Sequence, residues 1–351
     1  MRRLVLGVLA GLVVATAPGE AAEKETTMGA QRNLRAYANA DGQPVDGLDD
    51  ETDDTSALRA ALSEGPGVVF VPAGFYRWGD VTIPRGVTLA GAGRATVVSR
   101  ARGTKRVFVQ DAVNDWRLRD LALDGGASPS DWRSRQDLGE NGLEVSGCTG
   151  FEISGVVANN FQGAGIVIRH TAASPYCRWA TAANVFNLSA GGNHTGLRLD
   201  TRAEYMNASM LTLQGNVIGC TIHAGNAKLT NSTITNNLTG ILIEDHDNGS
   251  HGTISNTLVN HNQEYALLAR DVQYGMMIDN CAFFGGTIAL ENAKGVLISS
   301  SILACHIRTT GELANRISGN YVIERGETFD FSPATIVEDN FTEHGPWEKN
   351  R

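Results

Sequence analysis

The chain has 351 residues, of which 42% are hydrophobic and 19% are charged, so it can bury a sizeable core and is not intrinsically disordered. The formal net charge of −9 argues against a nucleic-acid partner or an acidic membrane surface. It does not exclude an acidic substrate, because binding depends on local charge.

The first residues have the pattern of a secretory signal peptide. Arg2 and Arg3 form a positive start, and residues 4–14 are apolar but too short to span a bilayer. Small-x-small cleavage sites follow, and we assign residues 1–21 to the signal. We therefore expect a secreted protein, extracellular or periplasmic, without membrane attachment after cleavage; a membrane anchor is the alternative.

Residues 22–52 are polar and lack periodicity, which predicts a linker. A short capped helix is predicted over residues 53–62, because Ala57, Leu58, Ala61 and Leu62 make one apolar face. Strand-like segments follow, with the sequences GVVFVP, VTI and GVTLAGAG.

The order of an acidic pair, a short helix, "GVVFVPAGFY" and "GVTLAGAG" resembles the N-terminal part of the pectate-lyase-like right-handed β-helix superfamily. This resemblance implies an all-β, right-handed parallel β-helix (a solenoid) whose open end is capped by a short N-terminal helix. The superfamily contains lyases, hydrolases, epimerases and phage tailspikes, so the fold alone does not define the chemistry.

A repeat of short strands leads independently to a solenoid. The strands begin at Leu143, Ile166, Leu197, Cys220, Ile241, Ala266, Ile288 and Ile307. Most steps are near 23 residues, which suits one rung of three strands and three turns. We expect the solenoid over residues 53–311 and a C-terminal coil that caps it over residues 312–351.

Within each strand the first and third residues are apolar and are predicted to point into the core, and the second and fourth to point outward. Asparagines predicted to stack near corners are Asn160, Asn216, Asn236, Asn260 and Asn280. The five cysteines fit buried thiols better than disulfides or a zinc site; they are Cys148, Cys177, Cys220, Cys281 and Cys305.

The outward positions place functional side chains on four consecutive rungs. They are Arg169, Arg198 with Asp200, His223 and Glu244, within roughly 15 Å by the rung spacing. This combination of cations, carboxylates and an imidazole is the main candidate site. A surface ladder of ion pairs without function is the alternative.

A second cluster follows at Glu244-Asp245-His246-Asp247. The segment "GILIEDHDNGSHGTISNTLVNHN" resembles the acidic-x-His-acidic segment of mannuronan C5-epimerases, which implies catalytic roles for Glu244, His246 and Asp247. The chain departs from that pattern with Asp245 in place of proline and Glu244 in place of the first aspartate. A polar turn and a Ca²⁺ site on Glu244, Asp245 and Asp247 are the alternatives.

These residues predict a lyase or C5-epimerase acting on a uronate-containing polysaccharide. Arg169 or Arg198 would neutralise the sugar carboxylate, and His223, His246 or Tyr265 would transfer protons. Trp132, in an Arg-rich loop, is predicted either to stack on a sugar or to anchor the loop.

Two other classes of function stay open. A glycoside hydrolase or fructan-type transferase would use Asp200 and Glu244 as a carboxylate pair. A non-catalytic polysaccharide-binding protein would need no catalytic groups. The sequence shows no cofactor motif, and a homo-oligomer is compatible with the fold but has no signal of its own.

Overall fold

The computed structural model describes residues 31–48, 51–170, 183–244 and 249–347, together with the backbone of residues 180–181. The predicted signal peptide and Cys177 lie outside the described residues. Three faces of short parallel strands wind into the right-handed parallel β-helix that was predicted. No helix in the described part of the chain is long and apolar enough to cross a membrane.

The strands of each face are hydrogen-bonded to the equivalent strands of the neighbouring rungs. Face A is a sheet of Gln31–Asn33, Gly67–Val71, Val87–Gly91, Arg117–Arg119, Glu152–Ser154, Asn184–Phe186, Asn207–Ser209, Ala227–Thr230, Gly252–Ser255, Met276–Asp279, Leu297–Ser299, Arg316–Ser318 and Ile336–Glu338. Face B comprises Gly74–Trp78, Thr96–Arg100, Ala122–Asp124, Val157–Asn159, Ser189–Gly191, Thr212–Gln214, Thr233–Thr235, Leu258–Asn260, Tyr321–Val322 and Phe341–Thr342. Face C comprises Arg106–Asp111, Asn141–Ser146, Ala164–Arg169, Thr195–Leu199, Ile218–Ile222, Thr239–Glu244, Tyr265–Arg270 and Phe329–Asp330.

Two long strands, Ala282–Glu291 and Ile302–Thr310, run through the corner and belong to both face B and face C. Two further short pairings complete the described strands. Ala180–Thr181 pairs with Ala203–Glu204, and Gly345–Pro346 pairs antiparallel with Phe341–Thr342.

The core is a stack of apolar side chains in register. Leu143, Ile166 and Leu197 lie on successive face C strands as direct partners, and each is fully buried. The helix Thr55–Ser63 covers the N-terminal end and buries the four predicted apolar residues. The four described cysteines are free and buried, as expected.

Both ends of the solenoid extend further than the sequence indicated. Residues 31–33, inside the predicted linker, pair with residues 68–70 as the first strand of face A, and Leu34 and Val45 are buried. At the other end, residues 316–318 and 336–338 continue face A inside the predicted C-terminal coil. In both segments the strands are only two or three residues long, so the alternation of apolar and polar residues that indicates a strand is too short to recognise in the sequence.

Buried asparagines close the corner between faces B and C. Asn193, Asn216, Asn237 and Asn262 stack on successive rungs. The side-chain oxygens of Asn216, Asn237 and Asn262 each accept the backbone N–H of the preceding asparagine, and that of Asn193 accepts the N–H of Phe161, all at 2.9–3.0 Å. Each side-chain amide donates to a face B carbonyl, as Asn216 does to Ala190 at 3.1 Å.

The predicted asparagine positions divide into different roles. Asn216 lies in the buried ladder, as predicted. Asn160, Asn236 and Asn280 instead have φ of 63°, 56° and 51°, the left-handed conformation that asparagine tolerates in tight turns. Asn260 ends a face B strand. The sequence alone could not distinguish a buried ladder asparagine from an asparagine at positive φ in a turn, because both kinds occur at the corners of the solenoid.

Replacing a ladder asparagine should destabilise the fold. We expect Asn216→Ala to lower the free energy of unfolding by about 3 kcal/mol, since it leaves the buried N–H of Asn193 without its acceptor and removes the side-chain donor to the carbonyl of Ala190. Asn207→Ala is the matched control: its amide contacts Asn184 at 3.1 Å on the exposed surface, and the loss should stay below about 0.5 kcal/mol. Chemical denaturation measures both, and equal losses would contradict this role of the ladder.

Candidate active site

Charged side chains form a line along one edge of face C. Arg169, Asp200, His223, Glu244, Arg270 and Glu291 lie at or just after the ends of successive strands. The fourth residue of each face C strand was predicted to point outward, and this agrees with the line at every rung but one. In the strand that begins at Ala266, the prediction placed Leu267 and Ala269 outward. Both are fully buried in the structure, and Arg270 lies beside Glu244 instead.

Arg270 was missed because the run Ala266-Leu267-Leu268-Ala269 is apolar throughout and does not define which residues point inward. Most neighbouring face C strands end in an outward-pointing charged residue. Aligning Arg270 with those residues would have shown correctly which residues of this strand point inward. With Arg270 in place, the functional line has no apolar interruption between Arg169 and Glu291.

From Arg198 to Arg308 the charged side chains and His223 form a continuous chain of polar contacts. Arg198 bridges Asp137 and Asp200, at 2.9 Å to each. His223 Nδ1 lies 3.2 Å from Asp200, and its Nε2 lies 3.2 Å from Glu244. Arg270 then joins Glu244, at 3.3 Å, to Glu291, at 3.1 Å. Arg308 also contacts Glu291.

The predicted alternative of an ion-pair ladder therefore describes the geometry correctly, but the pairs are not simple surface pairs. The arginines form the outer layer: the side chains of Arg169 and Arg198 are 47% and 32% exposed. The carboxylates beneath them, on Glu144 and Asp200, are 10% and 12% exposed. At these two rungs the guanidinium groups therefore lie outside the carboxylates of Glu144 and Asp200, and Asp137, 34% exposed, is the carboxylate at the surface beside Arg198.

A groove of about 390 Å³ lies at the N-terminal end of this line. Its charged lining residues are Arg106, Asp137, Glu144, Arg169, Arg198 and Asp200. Three of these residues were predicted as site residues from the sequence: Arg169, Arg198 and Asp200. The other three, Arg106, Asp137 and Glu144, were not. Asp137 comes from a loop that reaches Arg198 across 61 positions of sequence, and such a contact leaves no local signal.

Glu144 is the buried centre of this groove. It contacts Arg169, lies 3.6 Å from Arg106 and accepts a hydrogen bond from the Asn141 amide at 3.2 Å. Its carboxylate thereby holds two arginines in fixed positions. The sequence placed Glu144 in an outward column but had not recognised the strand that carries Arg106.

Asp200 is held in its ionised form. Burial by itself raises its pKa, but the hydrogen bond with His223, the charge of Arg198 and the backbone N–H of Thr201 outweigh burial and hold the pKa well below the usual range of an aspartate. A carboxyl group in this state accepts hydrogen bonds but does not serve as a general acid at neutral pH.

The remaining predicted site residues lie apart from the groove or outside the described residues. Trp132 is partly buried in the short 3-10 helix Pro129–Ser134 of its loop, with the Arg133 guanidinium 4.5 Å from the centre of its ring. Arg135 anchors this loop by donating to the carbonyls of Phe161 and Ser128. Tyr265 lines a different pocket further along face C.

The second predicted cluster stays a prediction. His246, Asp247 and Asp245 lie outside the described residues, so the resemblance to the C5-epimerase segment has no geometry here. No group of three or more His, Cys, Asp or Glu side chains that could hold a metal ion lies within the described residues. The proposed Ca²⁺ ligands include the two undescribed aspartates, so that alternative also stays open.

Comparisons with known proteins add a family and a set of similar folds. A family model described as "Rhamnogalacturonase A/epimerase, pectate lyase-like" matches residues 46–264. No curated protein sequence matches the chain.

Among solved structures, the tailspike protein of Escherichia coli bacteriophage HK620 in complex with a pentasaccharide has a TM-score of 0.66 and 12% identity, covering 91% of this chain and 66% of the tailspike chain. A mutant of that tailspike, also in complex with a pentasaccharide, has a TM-score of 0.64 with the same identity and coverage. The chain thus spans just under two thirds of the tailspike length, and the likeness is one of fold.

The lowered pKa of Asp200 predicts how stability depends on pH. The ionised carboxylate stabilises the fold above the pKa of an unfolded aspartate, about 3.9, and this contribution is lost as the pH falls below that value. Asp200→Asn should therefore lower the free energy of unfolding at neutral pH by about 2 kcal/mol. It should also flatten the loss of stability below about pH 5. Asp131→Asn, on an exposed residue, is the control, and equal acid sensitivity in all three proteins would contradict the prediction.

Proposed function

The chain belongs to the rhamnogalacturonase A/epimerase, pectate lyase-like family, and we propose that it is a secreted enzyme that binds an acidic polysaccharide at the face C groove. The reaction we propose is proton transfer at a uronate unit, leading to β-elimination or to C5-epimerisation. The pentasaccharide bound by the similar tailspikes supports a carbohydrate ligand for this type of fold.

The observation that carries the proposal is the layering of charge in the groove. Arg169 and Arg198 present partly exposed guanidinium groups above the mostly buried carboxylates of Glu144 and Asp200, and Asp137, which is 34% exposed, holds Arg198 from the side of the loop. Guanidinium groups bind carboxylates with two parallel hydrogen bonds. Because Glu144 and Asp200 already fix the two arginines, little side-chain freedom would be lost when a sugar carboxylate binds.

The same arrangement suits removal of the proton at C5 of a uronate. As that proton leaves, negative charge moves onto the sugar carboxylate, where a fixed guanidinium stabilises it. His223 is the proposed base. A substrate that displaces the Glu244 carboxylate from Nε2, while Glu244 keeps its contact with Arg270, would bring this nitrogen within reach of the C5 proton, and Asp200 would then stabilise the imidazolium that forms.

The two reactions share this first step and differ in the next. In β-elimination the electron pair of the C5–H bond forms a C4–C5 double bond, the bond from C4 to the glycosidic oxygen breaks, and that oxygen takes up a proton. In epimerisation the proton returns to C5 from the opposite face. His246 and Tyr265 are the candidates from the sequence for the second proton transfer.

Hydrolysis by Asp200 and Glu244 is the second candidate. Each lies 3.2 Å from a different nitrogen of one imidazole, so their carboxyl groups are no more than about 9 Å apart, below the upper limit of about 9.5 Å for inverting glycosidases. One observation argues against it: the ring of His223 lies between the two carboxyl groups, in the space that the attacking water needs. The lowered pKa of Asp200 would leave it the role of base, with Glu244 as the acid.

The proposed function is tested by incubating the purified mature protein with alginate, polygalacturonate, glucuronan, glycosaminoglycans and inulin. Ultraviolet absorbance follows unsaturated uronates, a reducing-end assay follows cleavage, and NMR in deuterated water follows exchange at C5. We expect absorbance with new reducing ends, or exchange at C5, on at least one uronate polymer. Reducing ends without absorbance would contradict proton abstraction and favour hydrolysis.

Variants assign the roles. We expect His223→Asn to lower the rate by about 100-fold or more, as for loss of a general base. Arg198→Ala should lower it by a similar factor through loss of charge stabilisation. Lys228→Ala, an exposed change on face A, is the control and should match the unmodified protein. Binding of a polymer without any reaction, unchanged in all variants, would favour a binding protein instead.

A further inference from the structure

Face B carries an uncharged surface along most of its length. From Val157 to Tyr321 its outward positions hold no Asp, Glu, Lys or Arg, although 19% of the residues in the chain are charged. Faces A and C carry charges on the same rungs, such as Glu152, Lys228 and Arg270. We propose that this surface binds a second copy of the chain, so that two solenoids pack side by side through face B and form a homodimer.

The C-terminal half of this surface is apolar. Leu258, Ala282, Ile302, Tyr321 and Phe341 are direct partners on successive strands. They form one column that is about 19 Å long by the strand spacing. Ile302 and Phe341 are 39% and 47% exposed to solvent. Exposing a contiguous apolar column to water is unfavourable, and burial in an interface removes this cost.

The corner between faces A and B enlarges the uncharged surface. Its non-glycine residues at positive φ on these rungs are Asn187, Met210, Asn231, Asn256, Asn280 and Ser300. Met210 is an apolar side chain that is 53% exposed. Together with the outward positions of face B, this corner provides about two dozen residues, which is within the roughly 20–30 residues that each partner contributes to a standard interface.

Charged residues border this surface without entering it. Asp124 lies on the preceding strand of face B, and Glu343 follows the last strand. On the side of face C, Arg133 of the long loop contacts Gln263, directly after the asparagine ladder. A centre without charged residues, surrounded by a polar and charged rim, is the composition of protein–protein interfaces.

A second copy fits this surface better than a partner selected by charge. Two copies of a chain with a formal net charge of −9 repel each other, and the repulsion is weakest where both present no charge. The surface is also regular, because its strands pair without a shift in register from Val157 to Ala304. Two regular sheet faces bury each other completely, whereas three copies around an axis would bring only the edges of the faces together.

The distribution of side chains along the surface defines the orientation of the two copies. Hydroxyl-bearing residues such as Ser189 and Thr212 lie in the N-terminal half, and apolar residues such as Ile302 lie in the C-terminal half. An antiparallel pair that overlaps over the full length would place the rung of Ser189 against the rung of Ile302. A twofold axis parallel to the solenoid places each rung against the same rung of the partner, so apolar residues meet apolar residues.

Analytical ultracentrifugation of the purified mature protein tests the association. We expect twice the mass of one chain, and a Kd that stays constant or falls as salt is added, since salt screens the repulsion between two negatively charged copies. A monomer at every concentration would overturn the proposal. A Kd that rises steeply with salt would also overturn it, because it would indicate an interface built from ion pairs elsewhere on the chain.

Variants locate the interface. Ile302→Glu and Thr212→Glu lie in different halves of the surface, and each places two like charges opposite each other, so each should raise the Kd at least tenfold. Met277→Glu is the matched control, because Met277 is a 49% exposed apolar residue on face A, and its Kd should stay within twofold of the unmodified protein. Circular dichroism and the unfolding midpoint verify that each variant is folded. A dimer unaffected by both face B variants would overturn the proposal, as would a monomer in which they abolish binding to an insoluble polysaccharide instead.

Crosslinking tests the orientation. Thr212 and Ile302 lie four strand spacings apart, about 19 Å, and packed sheets are separated by about 10 Å. With a thiol crosslinker of that shorter reach, Thr212→Cys and Ile302→Cys should each form a dimer alone. The unmodified protein is the control, since burial raises the pKa of the described native thiols, among them Cys148 and Cys220. Crosslinks that form only when the two variants are mixed, or with Ile302→Cys alone, would contradict the parallel arrangement.

Discussion

The structure depends on the pairing of each strand with its equivalents one rung before and after. This pairing satisfies the backbone along the faces but not at the corners, where the chain turns and its polar groups would be buried without partners. Asn193, Asn216, Asn237 and Asn262 solve this at the corner between faces B and C, because each side chain both accepts from and donates to the backbone. The register they maintain also aligns the outward columns of face C.

Alignment of those columns produces the charged edge. Single residues far apart in sequence, such as Asp200, His223 and Glu244, become neighbours only because their strands are stacked without a slip. Taking these groups out of water is unfavourable unless each is paired. The pairing is complete enough to keep Asp200 ionised and to leave the arginines as the outer layer. The charge pattern of the groove therefore follows from the register of the core.

Much of this could be predicted from the sequence. The regular spacing of apolar residues predicted the solenoid, the residues that point into its core and four of the rungs that carry the charged edge. The assignment of inward and outward residues was wrong only in Ala266-Leu267-Leu268-Ala269, which contains no polar residue to mark the outward side. Arg270 was missed for this reason. Asp137 and Arg106 were missed for another reason: one reaches the groove by a long loop and the other lies on a strand without a clear repeat.

A crystal structure of the protein with a bound acidic oligosaccharide tests the central claim most directly. The account predicts a sugar carboxylate in contact with the guanidinium groups of Arg169 or Arg198, with the uronate ring over the groove beside His223. An oligosaccharide bound on face A or face B, or a groove that places sugar hydroxyls rather than a carboxylate against these arginines, would contradict it.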